Sequence, residues 1–362
     1  MKLHSILTVA LSGIGDALMF SPALRLLREK YPETQIDILC MFKGVEELYK
    51  RNPDISNVLY WDFLSSSIPS SFSYLLKLRG KYDATISVYP QNRWEYNSIC
   101  FLIGGKYRLG HTYNHLNAYS LSFLNNIRIH ELDSRHNVEE NIELVKLLDV
   151  NTPQQLPPLQ VHLTNEDIEQ GNDWLASQNL SHSLLVGFHA GSAEFKNHIN
   201  RRWAPEKYAE LGLRLIREKN ASILLFGGSD EYALNEKINS AMENKGVIVK
   251  TPFMLTAALM SQCKLFVCND TGLMHLAAGL QLPIVTIFAY TNPSYLYPWK
   301  TRTTMVRHPL ECSPCFYYSP RPVRCRWKED RFRCITHIEV DEVWNAVNTM
   351  LDTSAPKASI EE

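Results

Sequence analysis

The 362-residue sequence contains no stretch approaching the roughly 18 consecutive apolar residues of a membrane span. It has no charge excess either: 37 Lys and Arg face 38 Asp and Glu, so no global field draws in nucleic acid and any anionic ligand must be held locally. No short internal repeat is present, and the one low-complexity tract is the terminal "TSAPKASIEE", a polar tail expected to be disordered. Neither half carries a complete G-x-G-x-x-G, which argues against a dehydrogenase. The opening "MKLHSILTVALSGIGDALMF" lacks a small-residue cleavage pattern and is interrupted by Gly13, Gly15 and Asp16. It reads as a buried strand, a glycine turn and a helix rather than a signal peptide. These absences leave a cytoplasmic globular protein, at most peripheral to a membrane.

What is present suits an enzyme of two ordinary domains, with 45% apolar residues. Apolar runs such as "HSILTVAL", "QIDILC", "NVLYW" and "ATISVYP" alternate with amphipathic stretches, the pattern of a parallel sheet with helices on both faces. Pro22 lies inside the first helical pattern and predicts a kink or restart there, with Ser21 as a cap. After the helical "HNVEENIELVKLLDV", the Pro- and Gln-rich "NTPQQLPPLQVHL" reads as a linker near 151–165. A second αβ series follows, with strands at "SLLVGFHAG", "ASILLFGG", "GVIVK" and "LFVCND". The expected architecture is α/β: two Rossmann-like domains with parallel sheets facing a cleft. Residues 1–160 form the first, 161–340 the second, and 341–362 a C-terminal helix and the polar tail.

In such sheets ligands bind beyond the carboxyl ends of strands. Four strand-end loops have unusual chemistry. "SGIGD" ends in Asp16 at a helix start, where a carboxylate remains ionised; taken alone it is equally a tight turn with a capping Asp. "HAGSAEFKNHINRRW" follows its strand with Gly191 and Ser192 and then presents Arg201 and Arg202, groups that suit a phosphate as well as a solvated basic loop. "FGGSDE" offers Ser229 and Asp230 at a helix start, suited to a ribose or to a simple N-cap. In "NDTGLMHLAAGL", Leu273, Leu276, Ala277 and Leu280 make the core stripe, and His275 shares another face with Thr271 and Gly272. N–H groups at Thr271 to Met274 and the helix dipole create an anion site. Asp270 would repel a phosphate and suits sugar hydroxyls instead, so the loop is expected to hold a diphosphate with a sugar attached.

The cysteines fall into two groups. Cys40, Cys100, Cys263 and Cys268 lie singly in or beside apolar segments, whereas Cys312, Cys315, Cys325 and Cys334 follow C-x2-C-x9-C-x8-C in a polar stretch. In a reducing cytoplasm that spacing favours a tetrathiolate metal site over disulfides, with free thiols as the alternative. The role would be structural, since four thiolates leave no open coordination position.

"GIGDALMFSPALRLLREKYP", "HNVEENIELVKLLDV", "HAGSAEFKNHINRRWAPEKYAEL", "CNDTGLMHLAAGLQLPIVTIFAYTNP" and the cysteine cluster together resemble glycosyltransferase family 9, the ADP-heptose heptosyltransferases of lipopolysaccharide core. The resemblance covers almost the whole chain. It implies a GT-B fold, inversion at the anomeric centre without a catalytic metal, donor on the C-terminal domain and acceptor on the N-terminal one. Asp16 would be the general base. Gly191, Ser192, Arg201, Ser229, Asp230, Asp270, Thr271, Gly272 and His275 would bind the ADP-heptose donor, with a positive charge on His275 assisting departure of ADP. Gly13, Gly15 and Arg93 would meet a saccharide or glycoconjugate acceptor, at a site peripheral to the inner membrane. The cysteine segment resembles the iron-binding finger of autotransporter heptosyltransferases, which sets iron beside zinc. Arg201 stands where the family usually has lysine, and "FGGSDE" does not place a glutamate where the resemblance would put it, leaving Ser229 and Asp230 as substitutes. Another nucleotide sugar, or a protein or small-molecule acceptor, is therefore the alternative within the fold. A four-cysteine nucleic-acid module is the alternative outside it, opposed by the balanced charge and the four strand-end loops.

Overall fold

A computed structural model describes residues 2–317 and 321–352; the polar tail beyond Asp352 lies outside the described residues. The first half builds a six-stranded parallel sheet from β1 (Ser5–Ala10), β2 (Gln35–Cys40), β3 (Asn57–Tyr60), β4 (Ala84–Ser87), β5 (Tyr107–Thr112) and β6 (Ile127–His130), in the order β3-β2-β1-β4-β5-β6. The second half repeats the plan with β7 (Leu184–His189), β8 (Ala221–Leu225), β9 (Val247–Ile248), β10 (Leu265–Asn269), β11 (Ile284–Phe288) and β12 (Thr303–Arg307), in the order β12-β11-β10-β7-β8-β9.

The central strands are Val-, Ile- and Leu-rich and fully buried, because helices cover both faces. β5, β6 and β12 carry a weaker signal, being half-exposed and interrupted by Arg, His or Thr. Their backbone pairing, more than an apolar pattern, makes them strands.

The first helix runs unbroken from Ile14 to Lys30, with Pro22 inside it. The expected restart does not occur. Pro22 has no N–H for the Leu18 carbonyl four residues back, and the Ser21 hydroxyl donates to that oxygen instead, at 2.7 Å. Coil from 151 to 164 joins the halves, tied down by Ser21 Oγ, which accepts from Gln160 N–H at 3.0 Å, and by Trp299 Nε1, which donates to Pro157 O at 2.9 Å. The C-terminal helix Val340–Asp352 packs on the second half, beside the helix Pro205–Lys219 and on β11 and β12.

Strand order reverses between β1 and β4 in one sheet and between β7 and β10 in the other. At such a switch point the adjacent loops diverge to opposite faces and leave a crevice at the strand ends. The β1 and β4 loops carry Asp16 and Arg93; the β7 and β10 loops carry Gly191 and Asp270 to Gly272.

Candidate active site between the two sheets

The two crevices are pressed together. The helix Ile14–Lys30 packs against the helix Gly272–Gly279, so two helix N-termini meet. Glycine is required on both sides: a Cβ on Gly15 would lie 2.8 Å from His275 Cδ2 and 3.1 Å from Gly272 Cα, and one on Gly272 would lie 2.8 Å from Ile14 Cγ2. Gly15 thus serves the approach of the halves, while Gly13 is exposed with open space about it. Two helix dipoles presenting their positive ends to one place make a strong anion site.

Asp270 is buried beside that place. Its Oδ2 accepts from Thr291 Oγ1 at 2.6 Å and from Arg201 Nη1 at 3.2 Å. Arg201 Nε and His275 Nδ1 are both buried without a protein partner. An unsatisfied buried polar group costs about 1–3 kcal/mol, so two beside one helix N-terminus mark a position where a ligand supplies the missing partners. Burial first, and the nearby Arg201 second, push the His275 pKa down to about 4. Without a ligand, His275 is therefore a neutral ring at neutral pH, beside the Arg201 guanidinium.

The Ser192 hydroxyl is committed, donating to His198 O at 2.9 Å and accepting from Arg202 Nε at 3.2 Å, while Arg202 Nη2 also grips Ser192 O. Arg202 thus fixes the loop and Arg201 faces Asp270. The Met274 N–H already donates to Thr271 O at 3.1 Å, which narrows the anion site to the first residues of the helix. Ser229 and Asp230 are exposed.

It is the next residue, Glu231, that turns inward. His189 Nε2 lies 3.0 Å from Glu231 Oε2, and His189 Nδ1 lies 2.9 Å from Thr271 Oγ1. An ionised carboxylate only accepts, so Nε2 carries the proton. Gly228 N–H donates to the same carboxylate at 3.1 Å. Burial acts to raise the Glu231 pKa, but attraction to His189, its hydrogen bond and the Gly228 N–H outweigh it and leave the carboxyl below its ordinary range. The carboxylate also lies directly over Gly191, where a Cβ would fall 1.7 Å from Glu231 Oε1. One acid therefore braces the Gly191 loop and, through His189, the Thr271 hydroxyl.

Asn269 completes the brace. Its Nδ2 donates to Ala190 O at 2.7 Å, and its Oδ1 accepts from Trp203 N–H at 3.1 Å. His189, Glu231 and Thr291 belong to no motif of their own. The signal for each was position at or just after a strand end.

On the facing half, Asp16 sits half-buried in the first turn of its helix. Arg93 immediately precedes the helix Trp94–Ile103, pairs with Glu95 at 3.2 Å and lies 5.7 Å from the Tyr96 ring. The Tyr96 phenol is pushed up mainly by burial, with Arg93 opposing the shift and Glu95 and Asp16 adding to it. Asp16 and Arg93 thus border one wall, across from the anion site.

Cys312, Cys315, Cys325 and Cys334 line a single cavity of about 50 Å³ together with Trp327 and Phe332. Cys325 Sγ accepts Phe332 N–H at 3.4 Å. Among the described residues, however, no three His, Cys, Asp or Glu close to an arrangement that could hold a metal ion. Burial, reinforced by the neighbouring cysteines, raises the Cys334 thiol to about 12, so in this arrangement it is protonated.

The sequence matches the model of glycosyltransferase family 9 (heptosyltransferase) over residues 72–322. It is 27% identical over 316 residues to the lipooligosaccharide heptosyltransferase 2 of Haemophilus influenzae, covering 84% of this chain and 88% of that protein. The fold is similar to the glycosyl transferase family 9 structure from Veillonella parvula, with a TM-score of 0.79, 22% identity and coverage of 98% of this chain and 99% of that one. It is also similar to the ADP-heptose lps heptosyltransferase II of E. coli, at a TM-score of 0.75, 22% identity and coverage of 96% and 98%. The architecture is the GT-B fold.

Proposed function

Since the chain belongs to glycosyltransferase family 9 and is a glycosyltransferase, we propose that it moves a heptosyl group from ADP-heptose to a saccharide hydroxyl of lipopolysaccharide core or a related glycoconjugate, with inversion. The observation that carries this reading is the pair of unpartnered buried nitrogens, Arg201 Nε and His275 Nδ1, at a helix N-terminus beside the Asp270 carboxylate. A diphosphate accepts from Arg201 and, with a proton on Nδ1, from His275, and sugar hydroxyls suit the acid.

Asp16 takes the proton of the acceptor hydroxyl as its oxygen attacks the anomeric carbon. The bond from that carbon to the β-phosphate oxygen breaks, and its electron pair leaves with ADP. A carboxylate of ordinary basicity cannot ionise an alcohol in advance, so proton transfer accompanies attack on an oxocarbenium-like centre. Arg201 and the two helix N-termini neutralise the charge that grows on the leaving diphosphate. Glu231 and His189 touch neither partner and hold the loops that do.

Two further parts of the reading stand apart from transfer. No described helix is long and apolar enough to cross a membrane, and we place the enzyme at the cytoplasmic face of the inner membrane as a peripheral protein. The four cysteines, gathered in one cavity, have the chemistry of a structural tetrathiolate site for zinc or iron, with no step of transfer passing through it. Elemental analysis of freshly purified protein checks it: well under one metal per chain, with thermal stability unmoved by chelator, removes that assignment.

The test of the donor is calorimetric binding of ADP, ADP-heptose, UDP and GDP to the wild type and to Asp270→Ala. The expected result is preference for ADP-heptose, falling to the level of ADP in the variant. Preference for UDP or GDP would keep glycosyl transfer and discard heptose.

A further inference from the structure

The large apolar side chains left in solvent are concentrated in one place. Ile68, Phe72 and Leu76 of the helix Ile68–Leu78 are 86%, 47% and 46% exposed, at i, i+4 and i+8, a stripe along one face. Trp94 and Phe101 of the helix Trp94–Ile103 are exposed at i and i+7, and Phe123 stands out just beyond. The helices touch one another, and their buried sides, Leu75 and Leu78 on one and Ile99 and Ile103 on the other, enter the same core cluster under β1 and β2. Their exposed sides therefore face the same way. A single exposed Leu needs no explanation, but several large apolar residues in adjoining helices mark a contact surface.

Charge identifies what the surface meets. Residues 63–128 hold seven Lys and Arg against Asp83 and Glu95, a net of +5 in a chain whose total is −1. Lys77, Arg79 and Lys81, at the end of the apolar stripe, and Lys106, beyond the second helix, are all exposed. No acid occurs between Asp62 and Asp83, the span that contains the whole stripe. An apolar helix face flanked by cations and free of acids is the arrangement of a helix lying in a bilayer interface, its apolar side chains among acyl chains and its lysines among anionic headgroups.

We propose that the surface formed by the helices Ile68–Leu78 and Trp94–Ile103 docks the protein on an anionic lipid bilayer. This rests on the reading of the protein as peripheral and names the face through which it binds. Ile68 and Trp94 follow the carboxyl ends of β3 and β4, the edge that also carries Asp16. Docking there sets the acceptor side of the cleft at the membrane surface, so the enzyme takes acceptors anchored in the bilayer by their own lipid.

The test is flotation of the full-length protein with phosphatidylethanolamine vesicles containing or lacking phosphatidylglycerol. Wild type is compared with Phe72→Ser/Leu76→Ser and with Lys77→Glu/Lys81→Glu. Wild type should float with the anionic vesicles, and each double variant should lose on the order of tenfold in partitioning, with ADP affinity and thermal midpoint unchanged. Wild type bound and both variants bound equally would overturn the face while leaving a peripheral protein. Wild type floating with neither vesicle would overturn both. A wild-type dimer that falls to monomer in Phe72→Ser/Leu76→Ser, without vesicle binding, would assign the surface to a second copy and overturn the proposal.

Discussion

Gly15 and His275 come from opposite halves of the chain, and a Cβ on the first would fall 2.8 Å from Cδ2 of the second, with the Gly272 backbone at 3.1 Å behind it. The obstacle includes main chain, so a side chain at 15 cannot be absorbed by a rotamer change. Gly15→Ala should prise the two helix N-termini apart and lower kcat/KM by about tenfold or more, the effect of the overpacking cost of about 1–3 kcal/mol on the closed state. The thermal midpoint should fall by only a few degrees, because the cost is small against a core that runs continuously through both halves. Steady-state kinetics beside a melting curve checks this; unchanged kinetics would mean that the close approach is not used in turnover.

Glu231 and Gly191 are predicted to be coupled. Gly191→Ala places a methyl where the Glu231 carboxylate lies, and should weaken donor binding about tenfold by displacing the acid and, through His189, Thr271. In a Glu231→Ala background that obstacle is gone, and the same methyl should add little. A double-mutant cycle on ADP affinity reads the interaction directly. Additive effects would show that the acid does not brace the loop. Glu231→Gln, which retains an acceptor for His189 Nε2, should recover much of what Glu231→Ala loses.

Stability should fall as the solution is acidified from pH 7 toward 5. His275 and His136 are buried and held neutral, with pKa values pushed down to about 4 and about 3 by burial first, then by Arg201 for His275 and, for His136, by His275, against a hydrogen bond to Tyr297 that acts the other way. The unfolded chain takes up a proton near 6.5 where the folded chain does not. Stability is therefore full above 6.5 and is lost as pH drops toward the folded values, by roughly 2 kcal/mol per histidine at pH 5. Denaturant titrations at several pH values check the slope, and His275→Gln should make it shallower without abolishing it, since His111 and His162 are also held low by burial.

Asp16→Asn should lower kcat by about 10²- to 10⁴-fold, the usual worth of a positioned base, while ADP-heptose binds as before. Rapid-quench turnover with calorimetry separates the two. A matching loss of donor affinity would move Asp16 from proton transfer to binding.

ADP binding should take up protons near pH 6. A diphosphate beside His275 favours the imidazolium that burial now suppresses. Calorimetry in buffers of different ionisation enthalpy measures the uptake, and its absence would mean His275 stays neutral throughout.

The alternation of apolar strands and amphipathic helices was enough to specify two parallel αβ units, because burial on both faces makes each central strand apolar along its length. The strand-end loops that carry Asp16, Arg201, Asp270 and His275 were legible for the same reason: polar and small residues interrupt apolar runs there. The peripheral strands β5, β6 and β12 were not, since half-exposed strands lose the apolar pattern and keep only their pairing.

Tertiary structure alone decided how those residues are used. Which of Arg201 and Arg202 faces Asp270 depends on where the Ser192 carbonyl lies. Whether Ser229, Asp230 or Glu231 turns inward depends on His189, 42 residues away. The charge of His275 depends on its burial against Gly15, over 250 residues earlier in the chain. The sequence determines which chemical groups stand at strand ends because that follows from local pattern. Their partners and protonation depend on distance and solvent exclusion, quantities that exist only once the two sheets have come together.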